Sequence, residues 1–383
     1  MPNRSSSTDR PTVARSRRTV IKLGTRVLTD DDGRLVQSRL LAVAEAVATL
    51  LDRGTDVLLV SSGAVGLGKD MLGLEYVPEE LKERQACAAV GQSRLMSLWR
   101  EGFAHLGHTC GQVLLTQSDF QDRPRYLNLR NTLNTLLRWG VIPVINENDA
   151  VSTEELAFLA GARRRVFGDN DKLSALVATD LDADLLVLLT DVAGVFERDP
   201  RRDPEAPLLA CIDDPERLTA EAGDSGSEIG RGGMRSKVEA ATIASRGGCD
   251  AVIASGKDLM ALPKVLRGES EGTWFPARPG LAARRRWIAF AVAPRGILRL
   301  DPGAIDAVRH RGASLLAAGV HAVEGAFERG DVVELRAADD SLIGRGMVFC
   351  DARTARRWCA GDPPDGIRNH DALIHRRHLA LES

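Results

Sequence analysis

Residues 56–69 read Asp56-Val-Leu-Leu-Val60-Ser-Ser62-Gly63-Ala-Val-Gly66-Leu-Gly68-Lys69, and the fold class turns on them. Val57 to Val60 are apolar without a break. A strand wetted on one face alternates apolar and polar side chains, so an unbroken run of this length belongs to a strand covered on both faces. The run ends in a glycine-rich segment. Gly63-x4-Gly68-Lys69 stops one residue short of a P-loop, because Asp70 stands where a hydroxyl would meet Mg²⁺ and would repel phosphate, so the near-match is read as chance. Two readings remain: a glycine loop whose amides hold an anion at a helix start, and a plain strand-to-helix turn.

The same texture extends in both directions. Apolar or β-branched runs predict strands at Thr19 to Leu23, Asp56 to Val60, Gln112 to Leu115, Val141 to Ile145, Asp184 to Leu189 and Asp250 to Ala254. Helical periodicity fills the intervals at Ser38 to Arg53, Pro78 to Leu106, Arg125 to Trp139, Asp171 to Thr179, Met234 to Arg246 and Leu259 to Leu266. Strand and helix in alternation predict an α/β domain, a three-layer αβα sandwich on a mainly parallel sheet, over residues 18–275. Residues 1–17, rich in Ser and Arg, are expected to be a disordered tail. The Pro/Gly/Arg segment 276–286 reads as a linker, and 287–361 as a small β-rich domain with runs at Trp287 to Val292, Gly296 to Leu300, Asp331 to Arg336 and Ser341 to Phe349. Residues 362–383 are expected to be a second tail, with His370, His375 and His378 solvated rather than ligating a metal.

Composition narrows the class. The 383 residues suffice for two or three domains, and 44% apolar with 27% charged residues is a soluble composition with no run long enough to span a bilayer. A net charge of -2 excludes a whole-molecule field for nucleic acid. Six Cys without metal spacing, and no apolar leader, predict a reduced, cytoplasmic protein. Only seven of 51 basic residues are Lys, so a position that keeps Lys is a candidate for a compact ammonium.

Two such lysines sit in candidate loops. Lys22 interrupts the first strand just before Gly24-Thr25, where it either meets an anion or snorkels from the strand end. Lys237 follows the glycine-rich stretch Gly230-Arg231-Gly232-Gly233-Met234-Arg235-Ser236 in the first turn of a helix, a pattern that offers amides and an ammonium to phosphate. Asn146-Glu147-Asn148-Asp149 directly follows a strand, at the end where parallel sheets bind ligands. Gly168-Asp169-Asn170-Asp171-Lys172 opens a helix, and Thr190-Asp191 ends another strand.

These segments resemble glutamate 5-kinases of the amino acid kinase superfamily: 20–29, 61–64, 88–95, 141–151, 168–175, 188–191 and 232–237 carry the likeness, with Asn146-Glu-Asn-Asp-Ala-Val151 the most specific string. The end of the chain resembles a PUA domain. The resemblance implies transfer of the γ-phosphoryl group of ATP, with Mg²⁺, to the side-chain carboxylate of L-glutamate, the first step of proline synthesis. It assigns Lys22, Lys237 and Asp171 to catalysis, and Ser62, Asp149 and Asn170 to glutamate, with Asp149 on the α-ammonium and Ser62 and Asn170 as hydrogen-bond donors. Lys22, Thr190, Asp191 and residues Arg231 to Lys237 fall to the nucleotide, and no protein ligand to the metal. It also implies feedback inhibition by L-proline, a homo-oligomer (dimer or tetramer) and functional coupling to glutamate-5-semialdehyde dehydrogenase. Arg231 and about nine extra residues within 152–165, three of them consecutive Arg, depart from the pattern, the latter as a flap or a surface excursion. Two alternatives are kept: another acyl-phosphate-forming kinase acting on acetylglutamate or aspartate, and an RNA-binding PUA protein.

Overall fold

The computed structural model describes residues 10–30, 34–152, 170–200, 202–215, 233–278, 283–363 and 371–382. The chain divides into two compact units, 1–280 and 281–383. In the first, seven strands form one sheet: β1 Arg18–Leu23, β2 Asp56–Ser61, β3 Thr109–Leu115, β4 Val141–Glu147, β5 Leu185–Thr190, β6 Asp250–Ser255 and β7 Thr273–Phe275. Their order is β3-β4-β2-β1-β5-β6-β7. β1 to β6 are mutually parallel and β7 is an antiparallel edge. The apolar runs are buried as their composition requires: β5 is buried at every position, and β2 at every position after Asp56.

Helices Gln37–Asp52, Leu81–His105, Arg123–Arg138, Asn170–Asp180 and Gly233–Arg246 lie close to their expected bounds. Trp99 and Phe103 of the long second helix are fully buried in the main core with Ile21, Leu59 and Val187 of the sheet. The Trp99 indole N–H donates to the buried Ser61 hydroxyl at 3.0 Å, tying that helix to the end of β2. Ala64–Met71 is also helical, so Gly68 and Lys69 are interior helix residues, with Lys69 paired to Asp70 at 3.0 Å. A Cβ on Gly68 would stand 1.8 Å from the Cys87 carbonyl oxygen, and one on Gly91 would stand 1.9 Å from that of Ala64. These glycines let the two helices touch backbone to backbone.

Three boundaries differ from the sequence reading. Order begins well before residue 18: Pro11–Ala14 is helical, and Arg10, 3% exposed, donates to the carbonyls of Ala210, Glu271 and Gly272. A guanidinium supplies enough donors to satisfy the Glu271 and Gly272 carbonyls and to add a second donor to that of Ala210, which already accepts the Trp274 backbone N–H at 3.0 Å. The expected linker is shorter at both ends, because Ala277 and Arg278 bond back to Asp250 and Ser245 and Ala283–Arg286 is already helical.

The second unit contains β8 Gly296–Leu300, β9 Leu315–Leu316, β10 Val320–Gly325, β11 Val332–Arg336, β12 Leu342–Met347, β13 Ala372–Ile374 and β14 Leu379–Leu381. Five of them form a sheet in the order β10-β8-β11-β12-β14, and β13 pairs with β9. The expected C-terminal tail therefore belongs to the fold over 371–382: β14 completes the larger sheet, and His378 is buried against the Phe349 ring, 5.1 Å between centroids. Trp287–Ala291 is one turn of π-helix rather than a strand-like run.

Candidate active site

A parallel sheet aligns its carboxyl ends along one edge. The strand order reverses about β1, which has β2 on one side and β5 on the other, so this edge opens a crevice there. Lys22 is in register with Val60 and Leu188, and the loops beyond β1, β2 and β5 converge. They bound a cavity of about 710 Å³ whose lining includes Lys22, Ser62, Thr190, Asp191, Met234 and Lys237. At the turn after β2, Gly63 has φ +114°, a left-handed conformation that a side chain would strain, and the Ala64–Met71 helix starts immediately afterwards.

The electrostatic centre is Asp171. Its side chain is fully buried in the first turn of Asn170–Asp180, where the helix dipole favours an anion. Oδ1 lies 2.5 Å from Lys22 Nζ and Oδ2 lies 3.1 Å from Lys237 Nζ. Ser236 donates its hydroxyl to the same Oδ2 at 2.8 Å. Lys22 is 2% exposed, so its ammonium is held at an anion and does not snorkel. One carboxylate thus fixes two ammonium groups that would otherwise repel, leaving one net positive charge facing the cavity.

A polar chain adjoins it. Asn170 Nδ2 donates to Ser62 Oγ at 2.7 Å and to Asn146 Oδ1 at 2.9 Å. Both of its N–H bonds are spent, and among the described residues Asn170 Oδ1 is buried without a partner. Asn170 therefore offers a ligand an acceptor, which corrects the expectation that it donates. Asp149 is half-buried on the turn after β4 and does not line the cavity.

At the other side of the cavity, Thr190 Oγ1 donates to Asp191 at 3.1 Å, and Arg26 reaches Asp191 at 3.4 Å. Burial alone would raise the Asp191 carboxyl, but its own backbone amide, the Thr190 hydroxyl and the Arg26 guanidinium outweigh it and hold the pKa below the ordinary value. Gly233 and Met234 line the cavity, whereas Arg235 is exposed and does not. Arg231, Gly232 and residues 153–169 lie outside the described residues. Sequence reasoning missed Arg26 and Phe196, which line the cavity, and Arg198 and Arg202 beside them. Arg26 was legible as a cation two residues after Gly24; the others sit on a loop without strand or helix periodicity.

The sequence model of the amino acid kinase family matches residues 17–255, and that of the PUA domain matches 296–362. The chain belongs to the amino acid kinase family, with a PUA domain following the kinase domain. Within that family it stands among the glutamate 5-kinases. The glutamate 5-kinase of Bradyrhizobium diazoefficiens is 45% identical over 380 residues, covering 97% of this chain and 99% of that one. Those of Shewanella amazonensis and Pseudomonas entomophila are 43% and 42% identical, covering 95% and 97% of this chain.

Proposed function

We propose that the chain transfers the γ-phosphoryl group of ATP to the side-chain carboxylate of L-glutamate, giving L-glutamyl 5-phosphate, the step that opens proline synthesis. One observation carries the chemical reading: the ammonium groups of buried Lys22 and partly buried Lys237 bracket a single carboxylate at the carboxyl edge of the sheet, beside the cavity. The reaction joins two anions, so its barrier is largely their repulsion. A glutamate carboxylate oxygen forms the new bond to Pγ while the bond from Pγ to the bridging oxygen breaks, and ADP leaves with that electron pair. The nucleophile is already ionised, so no proton has to be removed.

Lys22 and Lys237 then neutralise the transferring group, with Asp171 as the positioning residue that holds both ammonium groups. Ser62, Asn170 and Asp149 serve the amino acid, while Thr190, Asp191 and the 231–237 loop serve the nucleotide. ATP enters as its magnesium complex. Both oxygens of Asp171 are committed to ammonium groups, and among the described residues no three His, Cys, Asp or Glu side chains cluster to hold an ion. The metal is assigned to phosphate oxygens and water.

We further assign L-proline as a feedback inhibitor sharing the amino acid subsite, since it carries the same α-carboxylate and amino nitrogen. A cytoplasmic homo-oligomer working with the reductase that consumes the acyl phosphate completes the reading. No described helix is long and apolar enough to cross a membrane. ATP consumption measured with glutamate, N-acetylglutamate and aspartate, with and without RNA, tests the proposal. Glutamate alone should support turnover, and RNA should not be required; preference for either other acceptor would overturn it.

A further inference from the structure

The side-chain amides beside Ser62 form a chain whose direction is fixed by one backbone group. The Glu147 backbone N–H can only donate, and it donates to one end of the Asn146 amide at 2.9 Å, so that end is Oδ1. The other end, Nδ2, therefore faces Gln92 at 2.8 Å, and the Gln92 atom there must be the acceptor Oε1. Asn170 meets Asn146 Oδ1 at 2.9 Å and must do so with Nδ2, which also donates to Ser62 Oγ. Reversing any one amide would set donor against donor or acceptor against acceptor. The chain thus leaves Ser62 free to donate its proton, and Ser62 lines the cavity.

Its ends are unfilled. Among the described residues, Gln92 Nε2 is a buried donor without a partner, and Asn170 Oδ1 is a buried acceptor without one. An unpaired buried polar atom costs about 1–3 kcal/mol, so each would gain from a complementary partner, although neither Gln92 nor Asn170 itself lines the cavity. A zwitterionic amino acid brings both complements, a carboxylate that accepts and an ammonium that donates. Gln92 is carried to this place by Gly91, whose backbone is packed against Ala64 at the turn after Ser62.

Resting on the glutamate reading above, we propose that Gln92 is a binding residue for the acceptor amino acid: Oε1 locks Asn146, and Nε2 donates to a substrate carboxylate. Neither role involves the nucleotide, so the two substrates separate under mutation. Gln92→Glu keeps an oxygen for Asn146 and the shape of the side chain, but turns the free donor into an anionic acceptor. In the full chain it should raise KM for glutamate about tenfold or more, the loss of one hydrogen bond to a charged group. KM for MgATP should stay within about twofold. Gln92→Leu, which removes both functions, should raise KM for glutamate at least as far.

An unchanged glutamate KM in Gln92→Glu would overturn the donor role, leaving a prop for Asn146 that only Gln92→Leu disturbs. Parallel rises in both KM values would overturn it as well. Wild-type turnover with glutamate is measured first: its absence would refute the glutamate reading alone, and the Gln92 comparison would then be made with the amino acid that supports turnover.

Discussion

Asp171→Asn removes the charge at the centre of the site while keeping its shape, and the structure sets the size of the effect. The two ammonium groups lie 2.5 and 3.1 Å from its oxygens, which at an effective dielectric constant of about 20 is an attraction of about 5–7 kcal/mol each. Much of that offsets the dehydration of three ions, so the net quantity is the cost of removing one partner from a buried cluster, about 3–5 kcal/mol. Against a typical stability of about 5–15 kcal/mol the loss is large. Bound phosphate can replace the missing anion, whereas the wild type has no such deficit. Melting curves with and without MgATP, combined with initial rates, separate these effects. The variant should melt well below the wild type without nucleotide, gain more than the wild type from MgATP, and turn over about 10²-fold more slowly or worse, because its lysines are no longer fixed. Unchanged melting without nucleotide, or equal MgATP shifts with turnover within threefold, would refute the reasoning.

Gly91→Ala would drive a methyl group into the Ala64 carbonyl and should lower the urea midpoint by the equivalent of about 1–3 kcal/mol or more; an unchanged midpoint would show that the helices can part without loss. Arg10→Ala removes the guanidinium donor from the Glu271 and Gly272 carbonyls and one of two donors from that of Ala210, and should cost about 1.5–3 kcal/mol in the same assay, with KM values unaltered in the folded protein. A chain ending at Gly280 keeps every proposed site residue and the whole first unit, so it should still phosphorylate glutamate; a folded truncation without activity would place an essential group in the second unit.

The sheet was legible because its strands are buried on both faces. That condition writes itself into sequence as apolar runs, which located the five inner parallel strands; of β3, an edge strand buried only at Leu115, the sequence showed just the end, Gln112 to Leu115. β7 escaped because three residues carry no period, and its pairing with β6 is set by the returning chain. Arg10 escaped for a related reason: its partners lie 200 and more residues away, and an Arg in a Ser-rich stretch looks solvated. The His/Arg composition of the C-terminus concealed β13 and β14, whose partners are β9 and β12. In the site, scarce lysines marked Lys22 and Lys237, but composition says nothing about the direction of a hydrogen bond. Asn170 was thus read as a donor although its neighbours consume both of its N–H groups.

Phosphoryl transfer to a carboxylate between Lys22 and Lys237 is tested most directly by trapping the product. An acyl phosphate reacts with hydroxylamine, whereas orthophosphate does not. The enzyme supplied with MgATP, L-glutamate and hydroxylamine should form glutamyl hydroxamate in step with ADP, and Lys237→Ala should lower that rate about 10²-fold or more with smaller changes in KM. ADP released without hydroxamate, or hydroxamate formed at a near-normal rate by folded Lys237→Ala, would contradict it.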